Sequence, residues 1–167
     1  MKIKSMLIIL LTSGIACAGT FPPSTKYDVC FTPNYECSKL IIHEIEKAKR
    51  SVYVQAYSFT LESIKYSLVK AKENGLDVMV ILDKTQKNDA GKYFIYNHIP
   101  TWIDYHARIA HNKVMIIDNE TVITGSFNFT QSAQMRNTEN VLIIHDANLA
   151  TKYYANWNSR KKISREL

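Results

Sequence analysis

The side chains best suited to chemistry crowd into one stretch, AHNKVMIIDNETVITGSFNFTQSAQMRNTENV, running from Ala110 to Val141. His111 and Lys113 are separated by a single residue. On an extended chain such neighbours point to the same face, so an imidazole and an ammonium can converge on one anion. Asp118 follows after four residues, and six more lead to Gly125-Ser126-Phe127-Asn128. Gly125 suits a tight backbone at a strand end, and Ser126 and Asn128 repeat the one-residue spacing with a hydroxyl and an amide. Glu139 stands just ahead of an apolar run that starts at Val141. Singly, a histidine or a strand lysine is an ordinary surface residue. The combined spacing H-x-K-x4-D-x6-G-S-x-N is far more specific.

The rest of the chain must position these groups. Tyr27 to Phe31 reads as a short strand, and Thr32-Pro33-Asn34 breaks it. Ile41, Ile45 and Ala48 recur with helical spacing, as do Leu61, Ile64, Leu68 and Ala71, and Asn74-Gly75 is a helix stop. Ser51 to Phe59 is rich in β-branched and aromatic residues, and Val78 to Leu82 is a continuous apolar run, so both read as strands. Asp83 to Asp89 is polar and loop-like. Tyr93 to Asn97 suits a helix and Pro100 to Tyr105 an edge strand. Val114 to Ile117, Thr121 to Thr124 and Val141 to Ile144 are further strands. Leu149, Tyr153 and Trp157 mark a final helix over 148–158. This alternation predicts a single α/β domain with a mixed, mostly parallel central sheet sandwiched by helices. No Pro/Gly-rich linker divides it, and no internal repeat is visible.

The motif resembles the signature of the phospholipase D superfamily. The single copy of that motif, the phrase TGSFNFT and the preceding AYSFT make the chain similar to the bacterial Nuc-type endonucleases, from about Phe31 to Trp157. The segment between Asp83 and Tyr105 matches least. The resemblance implies a phosphodiesterase in which His111 attacks phosphorus and forms a phosphohistidine. Lys113, Asn128 and Ser126 would hold the phosphoryl oxygens, while Glu139 would orient and stabilise the His111 ring. Asp118 is expected, with the catalytic set, as a buried hydrogen-bonding scaffold. Phe127 and Arg108 are expected at the substrate, with Arg136 a weaker candidate. One motif supplies one histidine, whereas the chemistry uses one to attack and one to protonate the leaving oxygen. A homodimer with His111 from each subunit at a shared site is therefore implied. No cofactor and no metal enter this scheme.

The formal charge of +6 favours an anionic partner, and with the resemblance that partner is DNA, with RNA as a second candidate. Residues 1–18 combine Lys2 and Lys4, an apolar run and Ala16-Cys17-Ala18, the layout of a signal peptide. Cleavage after Ala18 would leave the domain at 19–167. An uncleaved anchor and lipidation at Cys17 are the alternatives. Export would make the protein periplasmic, envelope-associated or secreted, and would favour a disulfide between Cys30 and Cys37 over two free thiols.

Several blander readings compete. Asp104, His106 and His111 match no strong metal-ligand spacing, and Lys113 would repel a cation. His43, His98 and His145 read as structural or surface residues. Tyr57 and Phe129 read as core, and Phe127 as either core or a base-stacking platform. Arg160, Lys161, Lys162 and Arg165 are either a solvated helix end or a contact for phosphates and anionic lipid. Two other functions use the same residues: a phospholipid phosphodiesterase, and a non-catalytic envelope DNA-binding protein.

Overall fold

The computed structural model describes residues 19–167; the expected signal peptide lies outside them. The first strand, β1 (Lys26–Phe31), leads into helix α1 (Cys37–Lys47). Next come β2 (Ser51–Ala56), α2 (Glu62–Glu73) and β3 (Asp77–Asp83). A 3-10 turn over Lys84–Gln86 and a π-turn over Lys87–Gly91 lead into α3 (Lys92–Tyr96) and β4 (Thr101–Asp104). The chain ends with β5 (Lys113–Ile117), β6 (Thr121–Gly125), α4 (Gln131–Met135), β7 (Asn140–His145), α5 (Ala147–Ile163) and β8 (Arg165–Glu166).

The strands form one open sheet in the order β1-β7-β6-β5-β2-β3-β4-β8. It is mixed and flanked by helices, as expected, but the expected parallel majority is corrected. Only the β2–β3 and β3–β4 pairs are parallel; every other neighbouring pair is antiparallel. Parallel neighbours need a crossover connection, which α2 and α3 supply. By contrast β5 and β6 are joined through Asp118 (φ 54°) and Asn119 (φ 56°), with Glu120 N–H donating to the Ile117 carbonyl. Two successive positive-φ residues make the tight turn that returns a strand antiparallel to itself.

Alternating side chains divide the sheet between two cores. Val52, Val54, Val80, Leu82, Met115, Ile123 and Ile143 pack beneath α1 and α2, which contribute Ile41, Ile45, Ile64 and Leu68. On the opposite face Ile81, Trp102, Val114, Ile116 and Val122 meet Ala150 and Trp157 of α5. Burial on both faces is why β3 carries a continuous apolar run from Val78 to Leu82. The Asp146 side chain caps α5 by accepting from Leu149 N–H at 2.7 Å. Trp157 donates its indole N–H to the Val54 carbonyl at 2.9 Å and stacks on Tyr53.

The last helix runs further than its apolar spacing predicts, because its basic turn has partners. Arg160 donates from Nε to the buried Asp104 carboxylate at 2.9 Å, and Lys161 Nζ lies 4.3 Å from the Trp102 ring centroid. Arg160 and Lys161 are thus taken up by the fold. Among the described residues no helix is long and apolar enough to cross a membrane.

Truncating Trp157 removes both its packing and its hydrogen bond. Trp157→Ala is expected to cost about 3–5 kcal/mol, read as a lowered urea midpoint.

Candidate active site

One end of the sheet collects the motif. Register pairs Ala56 at the end of β2 with Lys113 at the start of β5, and Gly125 at the end of β6 with Val141 in β7. The start of β7 pairs with the end of β1 through Phe31 and Asn140. His111 is exposed, and its ring lies 4.6 Å, centroid to centroid, from that of Tyr57. Lys113 folds beneath it: Nζ donates to the His111 carbonyl at 2.6 Å and sits 5.1 Å from the Tyr57 ring centroid. That geometry is a cation–π contact. Tyr57, expected in the core, is instead half-buried and forms one wall of the site.

Lys113 is the electrostatic centre of the cluster. Burial pushes its pKa below the ordinary lysine value, and the charge of Glu139 opposes that shift. The structure therefore brings Glu139 within electrostatic reach of Lys113. A dehydrated ammonium is a stronger partner for a phosphoryl oxygen than a solvated one, because the surrounding dielectric is lower.

Backbone chemistry shapes the opposite wall. Gly125 has φ +147°, and a Cβ there would collide with the Asn140 carbonyl oxygen, so glycine is required. The Ser126 hydroxyl accepts from Asn140 N–H at 3.1 Å and from Asn140 Nδ2 at 3.3 Å. Both acceptor positions being used, its own proton is left to donate. Among the described residues the Asn128 Oδ1 is buried without a hydrogen-bond partner, a costly state for a polar atom.

The expected place of Phe127 at the substrate is corrected, and Asp118, a hydrogen-bonded scaffold as expected, stands apart from the rest of the motif. Phe127 is 2% exposed and belongs to the α1/α2 core. Alternation sends it to the face opposite Ser126 and Asn128, so it cannot stack on a base. Asp118 lies at the other end of β5, roughly 15 Å along the strand from Lys113. There its carboxylate accepts backbone N–H groups from Lys49 at 2.8 Å, Arg50 at 2.7 Å and Ser51 at 2.8 Å. It is a scaffold group remote from the chemistry. Arg108 and Arg136 are both exposed.

Sequence reading missed the carboxylates that hold the His111 loop. Asp83, at the end of β3, accepts from Ala110 N–H at 2.8 Å and from Thr85 N–H and Oγ1. Asp104 accepts from His106 N–H at 3.1 Å and from Arg160. Asp104 is thereby committed to the His106 turn and to Arg160. Among the described residues no group of three His, Cys, Asp or Glu side chains could hold a metal.

Residues 41–160 match the family model described as cardiolipin synthase, PLD-like domain. The chain belongs to the phospholipase D superfamily. It is 46% identical over 143 residues to a protein named phospholipase D from Rickettsia prowazekii, covering 84% of this chain and 70% of that one. Among solved structures it is similar to Nuc from Salmonella typhimurium, a phospholipase D family member. That match has a TM-score of 0.82 and 35% identity, over 86% of this chain and 98% of Nuc. NucT from Helicobacter pylori shares the fold, with a TM-score of 0.78 at 23% identity over 86% and 99% of the two chains. The chain is accordingly a phosphodiesterase of that superfamily.

Two measurements test this electrostatic layout. Burial alone would raise the carboxyl pKa values of Asp83 and Asp118, but their backbone hydrogen bonds outweigh it and both lie below the ordinary value. Their stabilisation is complete above the unfolded aspartate pKa of about 3.9 and is lost as pH falls through the lower folded values. Asp118→Asn is expected to lose roughly 1–3 kcal/mol of stability, with a shallower acid denaturation curve and kcat within a few-fold of the parent. Glu139→Gln removes the charge opposing the Lys113 shift. The Lys113 titration, followed by NMR, should move to lower pH.

Proposed function

We propose that this phosphodiesterase is a nuclease that hydrolyses DNA, and RNA as a second substrate, through a phosphohistidine on His111 in a homodimeric site. One observation carries the reading. A single His-Lys motif sits on a fold that coincides with Nuc over 98% of Nuc's chain, so a second copy is the simplest source of a second histidine. A His111 nitrogen attacks phosphorus as the bond to the leaving oxygen breaks, and that oxygen takes a proton from His111 of the second copy. Water then attacks the phosphohistidine, returns a proton to the deprotonated histidine and releases the phosphate. Lys113, Asn128 and the Ser126 hydroxyl stabilise the phosphoryl oxygens, and Glu139 stabilises the charged imidazole.

Charge around the site supports a polyanionic substrate. Lys84, Lys87, Lys92, Arg108 and Arg136 are exposed on the short helical turns and loops that connect the strands. None of them enters an ion pair among the described residues. Export belongs to the same reading, since the Cys30–Cys37 disulfide, with Cα atoms 5.5 Å apart, is of the kind sustained in oxidising compartments. The name of the rickettsial relative favours a second reading, a phospholipid phosphodiesterase with peripheral membrane association.

Purified protein is expected to degrade single- or double-stranded DNA with EDTA present. His111→Ala should reduce the rate at least about a thousand-fold. Equal co-expression of parent and His111→Ala chains should leave about a quarter of the activity, because only one dimer in four then holds two histidines. Headgroup release from phospholipid vesicles without DNA cleavage would establish the second reading instead.

A further inference from the structure

The loop that leaves β1 has no part in the motif, yet it grips the segment that delivers Glu139. Thr32 is 4% exposed. Its backbone N–H donates to the Glu139 carbonyl at 3.0 Å. Its hydroxyl accepts from Glu139 N–H at 3.1 Å and donates to the Asn137 carbonyl at 3.0 Å. Asn137 in turn donates from Nδ2 to Glu139 Oε1 at 2.9 Å. One side chain thus satisfies the backbone on either side of Thr138 and fixes the residue that steers the carboxylate. Only a hydroxyl can accept and donate at once in a buried position this small.

Thr32 is itself held from both directions. It follows Phe31, which pairs with Asn140 in the sheet. The loop it begins is closed by the Cys30–Cys37 disulfide, whose cysteines are 9% and 0% exposed. Gln134 of α4 seals the outer side. It accepts from Ser38 N–H at 2.9 Å and donates to the Tyr35 carbonyl at 2.9 Å. The segment from Asn128 to Glu139 is therefore braced against the disulfide loop at two points, Gln134 and Thr32.

We infer that Thr32 is a positioning residue for Glu139, kept in place by the Cys30–Cys37 bridge. It touches neither substrate nor His111 in this role; it sets where the Glu139 carboxylate stands. The inference rests on the proposed part of Glu139 in catalysis.

The test compares Thr32→Val, which keeps the shape but loses both hydroxyl bonds, with Thr32→Ser, which keeps both. Hydrolysis of bis(p-nitrophenyl) phosphate gives a readout independent of the natural substrate. Thr32→Val is expected to lower kcat at least ten-fold with KM within two-fold, and to displace the Lys113 titration seen by NMR in the same direction as Glu139→Gln. Thr32→Ser should restore kcat to within three-fold. Thr32→Ala removes the same bonds without the extra methyl and replaces the valine variant if that one does not fold.

A folded Thr32→Val or Thr32→Ala enzyme with kcat within two-fold of the parent overturns the inference. Collapse of the fold in both overturns it too, since Thr32 is then structural alone. If Glu139→Gln keeps full activity, it is the role of Glu139 that fails, and with it the basis for Thr32. Full activity of His111→Ala sinks the proposed mechanism as a whole.

Discussion

Three successive backbone N–H groups, on Lys49, Arg50 and Ser51, converge on the carboxylate of Asp118. A carboxylate is the side chain that can accept so many donors, and a chain entering a sheet edge-on has such donors to offer. The contact pins the far end of β5 to the beginning of β2. A slip of one residue between these strands would turn Val114 and Ile116 toward the α1/α2 core and carry Lys113 to the wrong face. With register fixed there, Lys113 must emerge beside Ala56, and His111 beside Tyr57. The aspartate of the motif thus earns its fixed spacing mechanically, through five residues of rigid strand.

At the opposite end the fold accepts electrostatic cost in order to hold a working arrangement. Lys113 is buried enough to weaken its hold on its proton, and Tyr57 and the Glu139 charge offset that penalty. Asn128 leaves a buried carbonyl oxygen unpaired. Asp83 and Asp104 are nearly inaccessible carboxylates used to tie down the turns around His111. The two carboxylates are unfavourable alone and are compensated by backbone donors and, at Asp104, by the Arg160 cation.

Much of this architecture is visible in residue order because it repeats with the period of an element. Ile41 and Ile45, or Leu149, Tyr153 and Trp157, announce helices that bury those side chains, and the apolar run of β3 announces a strand covered on both faces. The motif is legible for a different reason: strand geometry ties chemistry to short fixed spacings. What stays hidden depends on residues far apart in sequence. Thr32 meets Glu139 across more than a hundred positions, and Asp83 meets Ala110 across 27; no local pattern records either. Tyr57 reads as core because aromatic residues in strands generally are, and only its place just past the last paired residue of β2 exposes it. The antiparallel majority of the sheet is hidden likewise, since pairing direction follows from connections.

The sheet's order also sets a timetable. Strand β1 comes early in the described chain, but its one neighbour, β7, comes near the end. Until residues 140–145 exist and find 26–31, the Thr32 contacts that hold Glu139 are missing. Contacts of such long sequence separation form slowly, because the loop they close must be ordered first. A growing or unfolded chain therefore carries His111 without its surroundings. The motif is thus assembled in space only when its last strand, β7, joins the sheet.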